Sequence, residues 1–312
     1  MTAPVRVAYI AGWGRSGSTL LDRMLGRVGG LVSVGEIREV WRHGVIENRL
    51  CGCGRPFLDC PFWSEVGDAA YGGWPIDLAR RMDAEGRRLD SLAHVDWIRE
   101  LLGPGSRWSD HARRLAPLYR AVLDVAGARV VVDSSKLPLY AAMLSTSDQL
   151  DVRVLHLVRD SRAVANSWRK EVRRPDQVQG DGVMRRYGPV AAGARYVVYN
   201  GLTEILHRPG RRTRRLRYED LVRSPVAVLT DALDAIGAPE PRDLDWLRDG
   251  SADLDVSHTV DGNPMRMQKG PMVIKADDAW RSELPRAARA EVTALTLPLL
   301  ARYGYLQRPA AR

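Results

Sequence analysis

Residues 5–25 read VRVAYIAGWGRSGSTLLDRML, and this stretch decides the fold. An apolar run is followed by a glycine-rich turn and then by apolar residues at helical spacing, which predicts a strand over 5–12 and a helix over 18–27. Backbone N–H groups converge in a turn of this kind, and the helix N-terminus adds partial positive charge. The turn is therefore suited to hold a phosphate or sulfate group.

The glycine-rich turn nearly matches the G-x-x-x-x-G-K-[ST] loop of nucleotide triphosphatases, with Gly12, Gly17 and Thr19 in register. Ser18 occupies the lysine position, and the nearest cation is Arg15, inside the loop. A kinase or ATPase needs that lysine on the terminal phosphates, so we expect an anion other than a triphosphate. Taken alone, the loop could also be an ordinary strand–turn–helix connection with small residues for close packing.

The loop resembles that of the sulfotransferase superfamily, in which an arginine or lysine precedes Ser-Gly-Ser/Thr-Thr. The family's loop holds the 5′-phosphosulfate of the donor 3′-phosphoadenosine 5′-phosphosulfate (PAPS), and the nucleotide product is 3′-phosphoadenosine 5′-phosphate (PAP). The resemblance implies that this role belongs to Arg15, Ser16, Gly17, Ser18 and Thr19.

A second motif lies in residues 152–168, VRVLHLVRDSRAVANSW. Its first seven residues predict a strand buried on both faces, and the rest predicts a helix with Asp160 or Ser161 as N-cap. Arg159 then stands at the carboxyl end of the strand, where open α/β sheets bind ligands, and Ser167 follows two helical turns later. The resemblance implies that Arg159 and Ser167 hold the 3′-phosphate. The alternative is a salt bridge between Arg159 and Asp160, with Ser167 an ordinary serine on the helix surface.

Two later segments extend the resemblance. Residues 216–221 read LRYEDL, and sulfotransferases commonly carry Tyr-Glu-Asp here with the tyrosine beside the adenine, so Tyr218 is the expected adenine contact. Residues 258–266 read HTVDGNPMR and are similar to the cofactor-covering loop of bacterial members. This similarity implies that Arg266 adds a second cation to the 3′-phosphate. A solvated loop is the alternative for the segment.

Sulfuryl transfer needs a base for the acceptor hydroxyl and positive charge at the oxygen that leaves the donor. Glu36 follows a glycine at the end of a predicted strand and resembles the proton-accepting glutamate of tyrosylprotein-type and many bacterial sulfotransferases. Cytosolic sulfotransferases have a catalytic histidine before Leu-Pro, where this chain has Lys136. We predict Glu36 as the base, with Arg15 and Lys136 at the leaving oxygen. The alternatives are a surface position for Lys136 and a histidine base at His94, His111 or His258.

Further strands are predicted near 31–34, 128–132 and 213–217, and a further helix over 36–48. Crossover helices between strands imply an α/β fold of the P-loop-like three-layer type, with a central mostly parallel sheet flanked by helices. Residues 50–127 interrupt the alternation. We interpret them as a largely helical insertion within a single domain, 1–312, that forms much of the acceptor pocket. Its tryptophans are Trp63, Trp74, Trp97 and Trp108, and core packing is their alternative role.

Composition fits a globular enzyme, with 45% of residues hydrophobic and 27% charged. We predict a cytoplasmic protein, because no apolar stretch is long enough to span a membrane and the first strand begins too early for a signal peptide. Arginine supplies 43 of the 47 cationic side chains behind the net charge of +9, and it is spread along the chain, so we expect no nucleic-acid partner. The expected acceptor is a hydroxyl of a small molecule, sugar or glycolipid. A nucleotide kinase and a non-catalytic nucleotide- or RNA-binding protein are the alternatives.

Three cysteines lie close together at positions 51, 53 and 60. A metal site needs a fourth ligand, for which His43 is the only nearby candidate, and the cysteine spacing is poor for zinc. We therefore predict no metal site, and sulfuryl transfer requires no metal because cationic side chains can cover the charge. Free thiols are expected in a reducing cytoplasm, with a disulfide from Cys60 to Cys51 or Cys53 as the alternative.

Overall fold

The computed structural model describes residues 3–88, 107–177, 182–207, 212–240, 242–248 and 250–306. At its centre lie the strands β1 Val5–Ala11, β2 Leu31–Ser33, β3 Val130–Lys136, β4 Leu150–Val158 and β5 Thr213–Arg217. They form one parallel sheet in the order β2-β3-β1-β4-β5. The carboxyl ends of all five strands therefore meet at the same edge.

The described helices are α1 Ser18–Gly26, α2 Pro61–Tyr71, α3 Ile76–Arg88, α4 Arg107–Ala126, α5 Pro138–Leu144, α6 Ser161–Arg169, α7 Pro189–Leu206, α8 Tyr218–Arg223, α9 Pro225–Ile236, α10 Trp280–Glu283 and α11 Arg286–Arg302. Within the described ranges, none of them combines the length and the apolar character that crossing a membrane demands.

Helices cover both faces of the sheet because alternate residues of a strand point to opposite faces. Val7 and Tyr9 of β1 belong to the core on the side of α4 and α5. Ala8 and Ile10 belong to the core on the side of α1 and α9. The predicted α/β fold, with a parallel sheet between two helical layers, is confirmed.

The segment over 36–48 is not the regular α-helix that its pattern predicted. It forms a 3₁₀ turn at Ile37–Glu39 and a π-helical stretch at Val40–Ile46. Gly44 in this stretch packs so tightly that a Cβ atom would lie 2.9 Å from a ring carbon of Phe57. Apolar periodicity indicates that a segment is helical but does not separate the 3.6-residue turn from wider winding, so the sequence could not show this.

A second, antiparallel sheet was not predicted. Its strands are β6 Leu247–Arg248, β7 Ser251–Leu254 and β8 Gly270–Val273. Strands of two to four residues are too short to show the alternation on which strand prediction depends.

In residues 50–127, as far as the structure describes them, α4 packs against the sheet, α2 packs against α4, and α3 packs against the π-helical stretch. Trp63 and Trp108 are 0% and 2% exposed and belong to the core. Trp74 is partly buried and contacts the ring of Trp41. Trp97 lies outside the described residues. Core packing, the alternative role, therefore fits the described tryptophans of this segment.

Candidate active site

The loop between β1 and α1 is wound tightly enough to need left-handed backbone conformations. Gly17 has φ of 93°, and a Cβ atom there would lie 2.4 Å from Cδ2 of Tyr218. Only glycine meets both requirements without strain. Arg15 adopts φ of 68° although it carries a side chain. Such a conformation costs a non-glycine residue about 1–3 kcal/mol, and residues held in this way cluster at active sites and ligand-binding loops.

A cavity of about 320 Å³ lies over this loop at the carboxyl edge of the sheet. Of the predicted site residues, Arg15, Gly17, Ser18, Thr19, Glu36, Lys136, Arg159, Ser167 and Tyr218 line it. Its lining also includes Gly14, Leu20, Trp168, Arg174, Met184, Asp261, Gly262, Asn263 and Met265, which the sequence did not single out. Side chains far apart in the sequence meet here because the parallel strands end at one edge.

Arg15 places an unneutralised positive charge at this cavity. Its guanidinium lies 5.1 Å from the ring centroid of Trp168, and its Nη2 is 3.4 Å from Sδ of Met184. Among the described residues, no carboxylate lies within salt-bridge distance of Arg15, and its buried Nε has no hydrogen-bond partner. Burial and the nearby charge of Arg174 lower the pKa of Arg15. Because this guanidinium has no carboxylate partner among the described residues, it is available to pair with an anionic ligand.

Arg159 contacts both the glycine-rich loop and Tyr218. Its Nη1 donates to the carbonyl oxygen of Arg15 at 3.0 Å, and its guanidinium lies 4.4 Å from the ring centroid of Tyr218. Its Nη2 pairs at 2.8 Å with Asp277, whose side chain is 43% exposed to solvent. The alternative bridge between Arg159 and Asp160 is not formed, because Asp160 caps α6 and accepts from the backbone N–H two residues later.

Glu36 and Lys136 form an ion pair at the cavity wall. The backbone N–H of Glu36 donates to the carbonyl oxygen of Val260 at 2.8 Å, which fixes the residue against the 258–266 loop. Burial raises the pKa of Glu36 to about 7, with Asp261 adding to the rise and Lys136 opposing it. A carboxyl group with a pKa near neutrality is suited to accept a proton. Lys136 is the last residue of β3 and faces the cavity, so the surface alternative does not hold.

Asp261 anchors the 258–266 loop beside the cavity. Its carboxylate accepts a hydrogen bond from Nδ1 of His43 at 2.7 Å and pairs with Arg174. Burial alone would raise the pKa of Asp261, but His43 and Arg174 lower it well below its usual range. The backbone N–H of Asn263 donates to Oγ1 of Thr19 at 3.3 Å. The loop therefore contacts the glycine-rich turn and is not merely solvated.

Two predicted residues do not line the cavity. Arg266 is 1% exposed, and its guanidinium donates to the carbonyl oxygens of Thr259 and Leu50 at 2.7 and 2.8 Å. It also pairs with Asp176 at 3.2 Å, so its predicted contact with the 3′-phosphate has no support and its place is inside the loop packing. Ser16 is 2% exposed, and its Oγ has no partner among the described residues.

A second cavity, of about 710 Å³, adjoins the first. The two cavities share Gly14, Glu36, Lys136 and Trp168. The remaining lining of the second cavity mixes aromatic and charged side chains, among them Trp13, Tyr187, Tyr199, Glu39, Arg42, Arg185 and Arg195. Of the described part of 50–127, Asp83 and Arg87 on α3 reach this cavity. The second cavity is therefore built mainly from other segments.

Histidines are absent from the lining of the first cavity, within the part of the chain that the structure describes. His111 binds Glu85 at 2.8 Å, and His258 lies among the cysteines. His43 reaches the second cavity, but its Nδ1 is bound to Asp261. His94 lies outside the described residues. At the junction of the two cavities the base candidate is therefore Glu36.

Some lining residues carried a signal in the sequence and others did not. Trp168 directly follows Ser167 on the predicted helix, and Asp261 lies inside the 258–266 loop. A sequence-based prediction of the site could therefore have included both. Arg174 is one of 43 arginines, and its ion pair with Asp261 spans 87 positions. Nothing local distinguishes such a residue before the fold is known.

Comparison with known proteins agrees with the fold. A sequence model described as the sulfotransferase family matches residues 8–242. The sulfotransferase domain from the curacin biosynthetic pathway is similar in fold, with a TM-score of 0.53, 17% identity, and coverage of 96% of this chain and 98% of that one. The sulfotransferase domain of the Synechococcus PCC 7002 olefin synthase is also similar, with a TM-score of 0.50, 20% identity, and coverage of 96% of both chains. No curated protein sequence gave a match.

Proposed function

The chain belongs to the sulfotransferase family, and we propose that it transfers a sulfuryl group from PAPS to a hydroxyl of a small-molecule, carbohydrate or glycolipid acceptor. One observation carries the proposal: the Glu36–Lys136 ion pair lies on the wall shared by two cavities, one of which contains the unneutralised Arg15. This arrangement supports donor binding on one side of the pair and acceptor binding on the other.

The first cavity fits a nucleotide that carries anions at two positions. Arg15 and the backbone of Gly17, Ser18 and Thr19 would hold the 5′-phosphosulfate, and the unpartnered Nε of Arg15 is consistent with this role. Arg159 and Ser167 would hold the 3′-phosphate, with Arg159 exchanging Asp277 for it, and Tyr218 would lie against the adenine. When bound, the donor supplies an activated sulfuryl group and a bisphosphate leaving group.

Glu36 acts as the base in the proposed mechanism. It accepts the proton of the acceptor hydroxyl, and its raised pKa makes the protonated product stable near neutral pH. Lys136 compensates the charge of Glu36 before the reaction. It lines the same cavity as Arg15 and would cover negative charge on the leaving oxygen. These cationic groups perform the task without a metal ion.

The same residues argue against ATP-dependent phosphoryl transfer. The lysine position of the glycine-rich loop is Ser18, so a terminal phosphate would lack its usual cation. The carboxylates in the cavity lining are Glu36 and Asp261, as far as the structure describes it, and both are already paired with cationic side chains. Neither is free to hold magnesium, which nucleotide kinases need.

Incubation with donor carrying radioactive sulfur tests the proposal. We expect labelled products when cell extracts are supplied as the acceptor source, and mass spectrometry of the labelled fraction identifies the acceptor. The Glu36→Gln variant should lose activity by about 10²–10⁴-fold while it still binds PAP. Glu65→Gln, an exposed change on α2 outside both cavities, is the matched control and should retain activity. Near-normal turnover of Glu36→Gln would refute the role of the carboxylate.

A further inference from the structure

The structure brings a histidine to the three cysteines from far along the chain. The Sγ atoms of Cys51, Cys53 and Cys60 and a ring nitrogen of His258 all lie within 4.8 Å of one another. His258 is 198 positions from Cys60, so the sequence offered no reason to connect them. His43, the fourth ligand considered from the sequence, binds Asp261 instead. His258 therefore supplies the fourth ligand that was not evident from the sequence.

The separations between these atoms match a shared tetrahedral ion. Sγ of Cys53 lies 3.7 Å from Sγ of Cys60, and Nδ1 of His258 lies 3.2 Å from Sγ of Cys60 and 3.8 Å from Sγ of Cys51. With Zn–S bonds of about 2.3 Å, tetrahedral geometry places two sulfurs about 3.8 Å apart. A disulfide bond would require about 2.05 Å, so the three cysteines are free thiols.

Neighbouring groups hold the four side chains in place. Cys60 is the N-cap of α2, where the helix dipole favours a thiolate. The imidazole of His258 stacks on Phe62, with 4.8 Å between ring centroids and 12° between planes, and Trp63 Nε1 donates to the carbonyl oxygen of His258 at 2.9 Å. Gly52 N–H donates to the carbonyl oxygen of Thr259 at 2.9 Å. A supported ligand arrangement of this kind is what a metal site requires.

We propose that Cys51, Cys53, Cys60 and His258 bind one structural zinc ion. Three thiolates and one imidazole nitrogen complete a tetrahedral Cys₃His set, so no position is left for water or substrate, as in structural rather than catalytic zinc sites. Zinc binding displaces the thiol protons to solvent, and no electron transfer is involved. The zinc would join residues 51–60 to the loop that begins at His258.

The zinc site would act on the active site through this loop. Three residues after His258 comes Asp261, and Asp261, Gly262 and Asn263 line the first cavity. Fixing one end of the loop limits how far these residues move. The proposal depends only on the four ligands and does not rest on the proposed function, so either can fail alone.

Glu39, His43 and Asp261 form the other cluster of metal-ligating residue types among the described residues. Arg174 already pairs with Asp261 there, so that cluster carries its own cation. A variant of this second cluster is the matched control, because it shows whether a bound metal is held there and not by the cysteines and His258.

The decisive experiment measures metal in the full chain purified without a histidine tag. We expect about one zinc per chain by elemental mass spectrometry, and X-ray absorption should show three sulfur neighbours and one nitrogen neighbour. Cys53→Ser and His258→Asn should lose most of the zinc, whereas His43→Gln should keep it. Substoichiometric zinc in wild type, an oxygen-dominated shell, or loss of zinc only in His43→Gln would each overturn the proposal. The wild-type spectrum decides the question even if the variants do not fold.

Discussion

Glu36, three residues after β2, and Lys136, the last residue of β3, form an ion pair on the wall shared by the two cavities. Neighbouring parallel strands place the two side chains side by side, although they are a hundred positions apart. The pair therefore unites the proposed base with the cation that controls its charge.

The pH dependence of turnover should report Glu36. Burial raises the pKa of Glu36 to about 7, and only the ionised carboxylate accepts a proton. Activity should therefore rise with pH through about 7 and then level off, instead of rising near the ordinary glutamate pKa of about 4.3. Steady-state rates between pH 5 and pH 9 at saturating donor measure this. A rate that is already maximal at pH 5 would show that a different group is the base.

Replacing Lys136 should shift the pH range over which activity rises, the acidic limb of the pH–rate profile. The charge of Lys136 opposes the rise in the pKa of Glu36, so Lys136→Ala should shift the acidic limb upward by about 1–3 pH units and lower turnover at neutral pH. Lys136→Arg keeps the charge and should leave the limb near its original position. Rate profiles of both variants are the measurement. An unshifted limb in Lys136→Ala would mean that the ion pair does not control the base.

Arg266 should matter for stability and not for the nucleotide. Arg266→Ala removes the cation that pairs with buried Asp176 and the donor to Leu50 and Thr259, and we expect a loss of about 3–5 kcal/mol. Urea unfolding measures the loss, and calorimetry below the unfolding transition should give PAP affinity within a few-fold of wild type. If PAP affinity instead falls about as far as expected for Arg159→Ala, the sequence-based assignment of Arg266 to the 3′-phosphate was correct.

Asp22 should make the protein less stable as pH rises. Asp22 is 1% exposed, and burial raises its pKa to about 7, although Ser33 Oγ donates to its carboxylate at 2.6 Å. Between the unfolded pKa of about 3.9 and this value the folded state binds more protons, so stability falls over that window and is constant above it. Asp22→Asn removes the effect and should gain at most about 4 kcal/mol relative to wild type between pH 4 and pH 8. Urea unfolding of both proteins at pH 4 and pH 8 measures this. The same difference in unfolding free energy between variant and wild type at the two pH values would contradict the prediction.

Elements that depend on a local sequence pattern were predicted well from the sequence. The β1–loop–α1 unit was predicted within one or two residues, because the glycine-rich turn fixes where the strand ends and the helix begins. Arg159 and Ser167 were placed correctly on the strand end and helix because one apolar run and one cap define both elements.

What the sequence did not show depends on distant contacts. Arg174 meets Asp261, and His258 meets Cys60, only through the fold. The ion pair of Arg266 with Asp176 was missed for the same reason, since Asp176 carries no local signal, and the assignment of Arg266 to the 3′-phosphate stays a prediction. A residue's charge is visible in the sequence, but whether a buried neighbour already neutralises it is not.

Calorimetric titration of PAP in the presence of a chelator shows whether protein groups alone form the two proposed anion sites. Since Arg15 and Arg159 are the proposed cations for the two anionic groups of PAP, we expect tight binding without magnesium and much weaker binding of ATP. Arg159→Ala should weaken PAP binding by about 2–4 kcal/mol, whereas Arg113→Ala, an exposed change on α4, should not. Binding of ATP as tight as that of PAP, or a requirement for magnesium, would contradict the assignment of two anion sites built from protein groups alone.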